Sequence, residues 1–283
     1  MNIWKTFLGT IILIIIMNLL GVISSWASYL NNIPIAIYSL INTFIIVIVY
    51  IYFIRFYFKK DYIFDIKTSF VHFNENILFI LIPIAVGLKI FQEPFFEIYR
   101  RITYSEEFPS QVLNINTQLD YQFVIRAIPA LVIAPIFEEL IFRKYFIDSL
   151  VKKYSFVKSI LYSSLCFALY HLPNFSNLLP TFFLGLVAGY LYVKSKKIII
   201  PIILHFLLNF NIALLKLFGK TLLDSIDKLN LNIYYWIFFL IGIILLGGGL
   251  FLFNHYIEKI KNSKLETQEK IHKKNDKPDS VSR

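Results

Sequence analysis

Charge is scarce in this chain of 283 residues: Asp, Glu, Lys and Arg make up only 16% of it, against roughly 25% in soluble domains. That shortage excludes an ordinary water-soluble globule. A hydrophobic share of 57%, with 18% aromatic residues, reads instead as a polytopic membrane protein. Cysteine is nearly missing. With Cys166 alone, no intrachain disulfide and no cysteine-based metal site can be built. Ala, Gly and Pro are sparse beside Ile, Phe, Tyr, Asn and Lys, a codon bias that fits an AT-rich bacterial genome. No soluble domain, no internal repeat and no His-Glu-x-x-His zinc motif is present. The net charge of +10 does not call for nucleic acid, because the positive residues flank apolar runs and so face anionic lipid headgroups.

A spanning helix needs about 20 mostly apolar residues. Eight runs approach that length, near residues 7–30, 35–58, 77–92, 122–148, 156–172, 177–193, 198–217 and 232–256. The expected fold is therefore an all-α bundle of about eight transmembrane helices around a polar cavity. Cytoplasmic loops hold the excess of Lys and Arg. With both termini cytoplasmic, the outer side and outer half keep only Lys89, Arg100, Arg101, Arg126, Lys216, Lys220 and Lys228. The predicted location is the bacterial cytoplasmic membrane. A cleaved signal peptide is not expected at the first run, since its apolar stretch exceeds the usual h-region of about 7 to 15 residues.

Three regions follow. Residues 1–121 hold about three N-terminal helices and a mixed-charge outer loop from 93 onward, 122–257 form the core with the last helix, and 258–283 make a polar, Lys-rich tail expected to be disordered. The organising stretch is Phe137-Glu138-Glu139-Leu140-Ile141-Phe142-Arg143, which places two carboxylates and a guanidinium inside an apolar run. Intramembrane ionisable groups are costly and mark polar interiors or functional sites. Glu139 and Arg143, four apart, share a helix face and suit an ion pair, while Glu138 points about 100° away and stays free.

Few other polar residues lie as deep. His171 closes Phe167-Ala168-Leu169-Tyr170-His171, and His205 and Asn209, four apart, aim at one spot from the seventh run. Singly, each has a structural reading: an interhelical hydrogen bond, amide glue worth about 1 kcal/mol, or a simple ion pair. Together they are an expensive way to hold three helices.

In order and spacing, Glu138-Glu139-x-x-Phe142-Arg143, Phe167-x-x-x-His171 and His205-x-x-x-Asn209 resemble the three motifs of the CPBP family of intramembrane proteases, the CAAX prenyl protease 2 or Abi family. Gly185-x-x-x-Gly189 and Pro201-Ile202 also fit the pattern, so the likeness covers about residues 122–212. The resemblance implies an endopeptidase acting on a hydrophobic or membrane-anchored peptide. Eukaryotic relatives cleave prenylated CAAX tails; in a bacterium the substrates would be peptide pheromone precursors, leaders or bacteriocins, and family members are associated with bacteriocin self-immunity. It also implies roles. Glu138, as general base, and His171 would hold the water, His205 and Asn209 would donate to the oxyanion, and Arg143 would neutralise Glu139. No cofactor is expected, with zinc on Glu138, His171 and His205 as the alternative, a donor set chemically suited to that metal.

Two other functions compete: a non-catalytic scaffold or immunity protein, and a proton-coupled transporter, which lacks the repeated broken helices such proteins use. Depth poses a problem. Glu138 and His205 lie about 9 to 11 Å from the basic ends of their helices at 1.5 Å per residue, whereas His171 falls at the far end of its run. Either the fifth helix is tilted or the uncharged turn at 173–177 is sunk within the bilayer, and a water-filled cavity open to the cytoplasm is expected there, since irregular backbone at such depth is tolerated only where protein or water surrounds it.

Overall fold

The protein's structure, a computed structural model, describes residues 1–31, 35–59, 75–104, 119–219 and 232–275. These residues form helices and no strand, as apolar chain in lipid must when every backbone N–H and C=O needs an internal partner. The helices are α1 (Ile3–Asn31), α2 (Ile35–Phe53, running on as a π turn over Ile54–Phe58) and α3 (Asn76–Tyr104). A composite α4 follows over residues 121–150, then α5 (Phe156–Tyr170), α6 (Leu178–Ser195), α7 (Ile199–Phe218) and α8 (Ile233–Asn275).

All eight predicted runs are helical, and among the described residues six helices are long and apolar enough to cross a membrane: α1, α2, α3, α6, α7 and α8. α5 has 15 residues, about 22 Å of helix, short of a hydrocarbon core of roughly 30 Å. α4 is long enough but carries the charges, and π turns interrupt it at Pro129–Ile133 and Leu140–Ile147. Two further boundaries move. α3 continues to Tyr104 through Pro83 and Pro94, so the stretch read as loop from 93 begins as helix; residues 105–118 lie outside those described. α8 runs to Asn275, into the stretch read as disordered from 258, because Lys, Glu and Gln propagate a helix already nucleated upstream. Residues 276–283 are not described.

Apolar burial does not drive helix association in lipid, so close packing and polar contacts must. Gly185 provides one such approach: a Cβ there would stand 2.8 Å from Ser164 Cβ and 2.9 Å from its Cα. Gly189, one turn on, faces Ile160, so α6 lies antiparallel on α5 with the Gly-x-x-x-Gly face inward. α8 meets α3 similarly. A Cβ on Gly249 would come 2.5 Å from Ile84 Cγ1, whereas Gly247 and Gly248 have open space.

The basic residues gather at one end of the bundle. Tyr57 donates a short hydrogen bond to the Lys5 carbonyl, and the Phe58 ring packs on Tyr145 and Phe146. The Met1 ammonium is pushed below its usual value, first by partial burial and then by Lys153, Lys152 and Lys5. Lys196 lies 5.6 Å over the Phe156 ring, and one pocket joins Lys194, Lys196 and Lys197 to Lys261. Residues assigned to a single membrane side by charge alone thus share one end; Lys60 and Lys67 fall outside the described residues.

Candidate active site

The site is built where α4 stops being a regular helix. At its first π turn Ala134 donates its N–H to Pro129 O instead of to Ala130 O four residues back. That frees the Ala130 carbonyl, and Asn209 Nδ2 of α7 occupies it at 2.7 Å. One turn earlier on α7, His205 reaches the next part of α4: its Nδ1 is 2.9 Å from Glu139 Oε1 and its Nε2 is 3.9 Å from Glu138 Oε2. The expected shared face of His205 and Asn209 is present, and it presses on α4 at two levels.

Glu139 is entirely enclosed, as is Arg143. The pair forms as expected, with Arg143 Nη2 donating to Glu139 Oε1 at 3.2 Å and Nε 2.8 Å from Oε2. The second contact is an ion pair by distance, but it lacks the direction of a hydrogen bond: Nε, Oε2 and Nη1 have no hydrogen-bond partner among the described residues. The guanidinium instead lies flat on an aromatic face, 4.4 Å from the Phe167 ring centroid, which accepts a cation electrostatically.

Glu138 stands apart from this pair, 5% exposed. Tyr50 of α2 donates to its Oε1 at 3.4 Å, and the Tyr50 hydroxyl is 2.6 Å from that of Tyr170. If Tyr50 gives its proton to Glu138, Tyr170 must give its own to Tyr50, so α2 and α5 form a short chain of hydroxyls ending on the carboxylate. Tyr50 is fixed by stacking on Phe137, centroids 5.1 Å apart and planes at 6°. Sequence reasoning missed both tyrosines, because aromatic residues are plentiful in every helix and nothing in their spacing singles these out.

His171 caps the C-terminus of α5. Its Nδ1 lies 2.9 Å from Phe167 O; a carbonyl only accepts, so Nδ1 donates there and Nε2 is the nitrogen left to face the site. One buried ring ties the histidines and the arginine together, since Phe167 meets His171 at 4.9 Å and His205 at 5.8 Å between centroids. The depth problem is answered by short α5. Past His171, Asn18 of α1 donates to Leu172 O at 3.2 Å and buried Gln92 of α3 donates to Pro180 O at 2.9 Å. Both donors sit deep in apolar helices, about 20 to 24 Å along from the basic end, so the turn lies below the far end of the bundle.

The zinc alternative needs Glu138, His171 and His205 around one point. Among the described residues no group of three His, Cys, Asp or Glu side chains is close enough to hold a metal ion, while each histidine holds Nδ1 against a protein oxygen and leaves Nε2 to face the site. The chemistry open to the trio is that of a buried carboxylate beside oriented imidazoles: taking a proton from a water and offering N–H donors to a developing negative charge.

The described residues form an all-α membrane bundle with an enclosed Glu, Arg and His cluster, and comparison with known proteins shows what this core is similar to. Residues 120–211 match the family model of the type II CAAX prenyl endopeptidases, Rce1-like, and this segment contains every site residue named above except Tyr50. The core is thus similar in sequence to the CAAX protease family over that segment. Among curated proteins, the chain is 33% identical over 99 residues to "Putative membrane peptidase YdiL" of Bacillus subtilis, covering 33% of this chain and 40% of that protein. It is 28% identical over 149 residues to the membrane-embedded CAAX protease MroQ of Staphylococcus aureus, covering 48% of this chain and 59% of that protein. The chain thus spans about half the length of the curated relatives it matches. No solved structure matches it.

Proposed function

We propose that the protein is an intramembrane endopeptidase that hydrolyses a peptide bond in a hydrophobic or membrane-anchored peptide by a glutamate-type mechanism. The observation that carries this reading is the division of labour between two adjacent carboxylates: Glu139 is committed to Arg143 and His205, while Glu138 keeps only a hydroxyl and a 3.9 Å approach from His205. A water placed to one side of that contact can hydrogen-bond to both groups. Glu138 takes the proton of that water, with His171 Nε2 as a second acceptor, and the hydroxide attacks the scissile carbonyl. The proton then passes from Glu138 to the leaving amine.

The oxyanion formed by attack needs donors. His205 is the first such donor, with Nδ1 held by Glu139 and Nε2–H directed to the oxyanion. Asn209 gives one N–H to Ala130 O and retains the other for the substrate. Its first role is positioning, since it fixes the register of the helix bearing His205. The near-closed site, with Glu138 5% and His205 4% exposed, favours an unfolded hydrophobic segment or chain end over a folded substrate, in line with the family match.

Purified protein in bicelles, given quenched hydrophobic peptides, is expected to cleave them, and His205→Ala to lower the rate by about a hundredfold or more, the usual worth of an oxyanion donor. Equal rates for wild type and His205→Ala would reject the assignment of His205.

A further inference from the structure

The pocket at the basic end has no part in this chemistry. It encloses about 210 Å³ between the α6–α7 turn, the start of α3 and the late part of α8, and Lys194, Lys196, Lys197 and Lys261 line it. No acidic residue is among its lining residues; the rest of the wall is mainly apolar, with Ile200, Tyr256, Ile257 and Ile260. Ile200 belongs to the first turn of α7, a 20-residue helix with no acidic residue in that turn and no side chain capping its N-terminus, so its positive dipole end adds to the lysines. The Lys196 backbone is left-handed, with φ 57°, and its ammonium lies 5.6 and 5.8 Å over Phe156 and Tyr192, which holds that end of the turn in place.

We infer that this pocket binds the phosphate headgroup of one anionic membrane lipid. Four lysines from two separate segments line a cavity large enough for a phosphate and its glycerol ester, and the apolar wall suits the first carbons of the acyl chains. A cluster of lysines scattered over a surface would attract the leaflet diffusely; a walled cavity selects a single headgroup. α7 starts here and carries His205 five residues beyond Ile200, about 7.5 Å along the helix, so the bound lipid anchors the end of the helix that enters the active site. The inference does not depend on the peptidase reading.

The test uses the full chain purified in detergent, with phosphatidylglycerol, phosphatidylcholine or inorganic phosphate added, and reads bound lipid by native mass spectrometry and the shift in melting temperature. Wild type is expected to retain phosphatidylglycerol in preference to phosphatidylcholine and to ignore inorganic phosphate. Lys194→Gln with Lys261→Gln is expected to weaken that binding about tenfold to thirtyfold, as two lysines near a headgroup should. Lys194→Arg with Lys261→Arg is expected to keep it, as is Lys152→Gln with Lys153→Gln, which removes the same charge from an exposed turn at the same end. Equal losses from both glutamine pairs would overturn the site in favour of diffuse attraction. No preference for phosphatidylglycerol, or equally tight binding of free phosphate, would overturn the lipid.

Discussion

Glu138, Glu139 and Arg143 were legible as a unit from their spacing alone: four residues set the ion pair, and the odd carboxylate was left over. What spacing could not show is which atoms hold Glu138. Tyr50 reaches it from 88 residues away in sequence, a tertiary contact with no local trace. Tyr50→Phe is expected to lower kcat about tenfold to a hundredfold with little change in KM, because a hydrogen bond to a charged group is worth about 1.5–3 kcal/mol; an unchanged kcat would leave Tyr50 a packing residue. Arg143→Ala strands a buried carboxylate and is expected to destabilise the protein by about 3–5 kcal/mol, read as a lower melting temperature and loss of soluble yield in detergent. A variant melting like wild type would mean that Glu139 is not charged in the fold.

Helices were placed correctly by apolar run length, and their ends were not. Two ends moved outward for the same physical reason: α3 and α8 pass from lipid-type to polar sequence without a stop signal, so helix continues through charged residues to Tyr104 and Asn275. The π turns of α4 were illegible because they follow from tertiary partners as much as from Pro129 and Pro135; the carbonyl freed at Ala130 is stable only with Asn209 against it. Packing at the element level is tested by two glycines. Gly185→Val is expected to cost about 1–3 kcal/mol and to disturb α5, hence His171, because even a Cβ meets Ser164 backbone. Gly247→Ala, with open space around it, is expected to be neutral or to add about 0.5–1 kcal/mol of stability. Equal melting temperatures for the two would contradict the close α5–α6 contact.

Across the whole molecule, charge bookkeeping carried further than hydropathy. Lys5, Lys194, Lys196, Lys197 and Lys261 lie at one end of the bundle with Tyr57, Phe58, Phe156 and the lysine pocket, while run length alone did not show that π turns interrupt α4 or that α5 is short. Cysteines placed at Lys5, Lys153 and Lys261 are expected to react with an impermeant thiol reagent from the same side of sealed vesicles, with little background from Cys166, which is buried. Labelling from opposite sides would break the arrangement. The central claim is that Glu138 activates the water that cleaves a peptide, and the most direct test compares wild type with Glu138→Gln on hydrophobic peptides in bicelles, each with and without a chelator. Cleavage by wild type that ignores the chelator, and no cleavage by a Glu138→Gln protein of unchanged melting temperature, is the predicted result; undiminished cleavage by Glu138→Gln would contradict it.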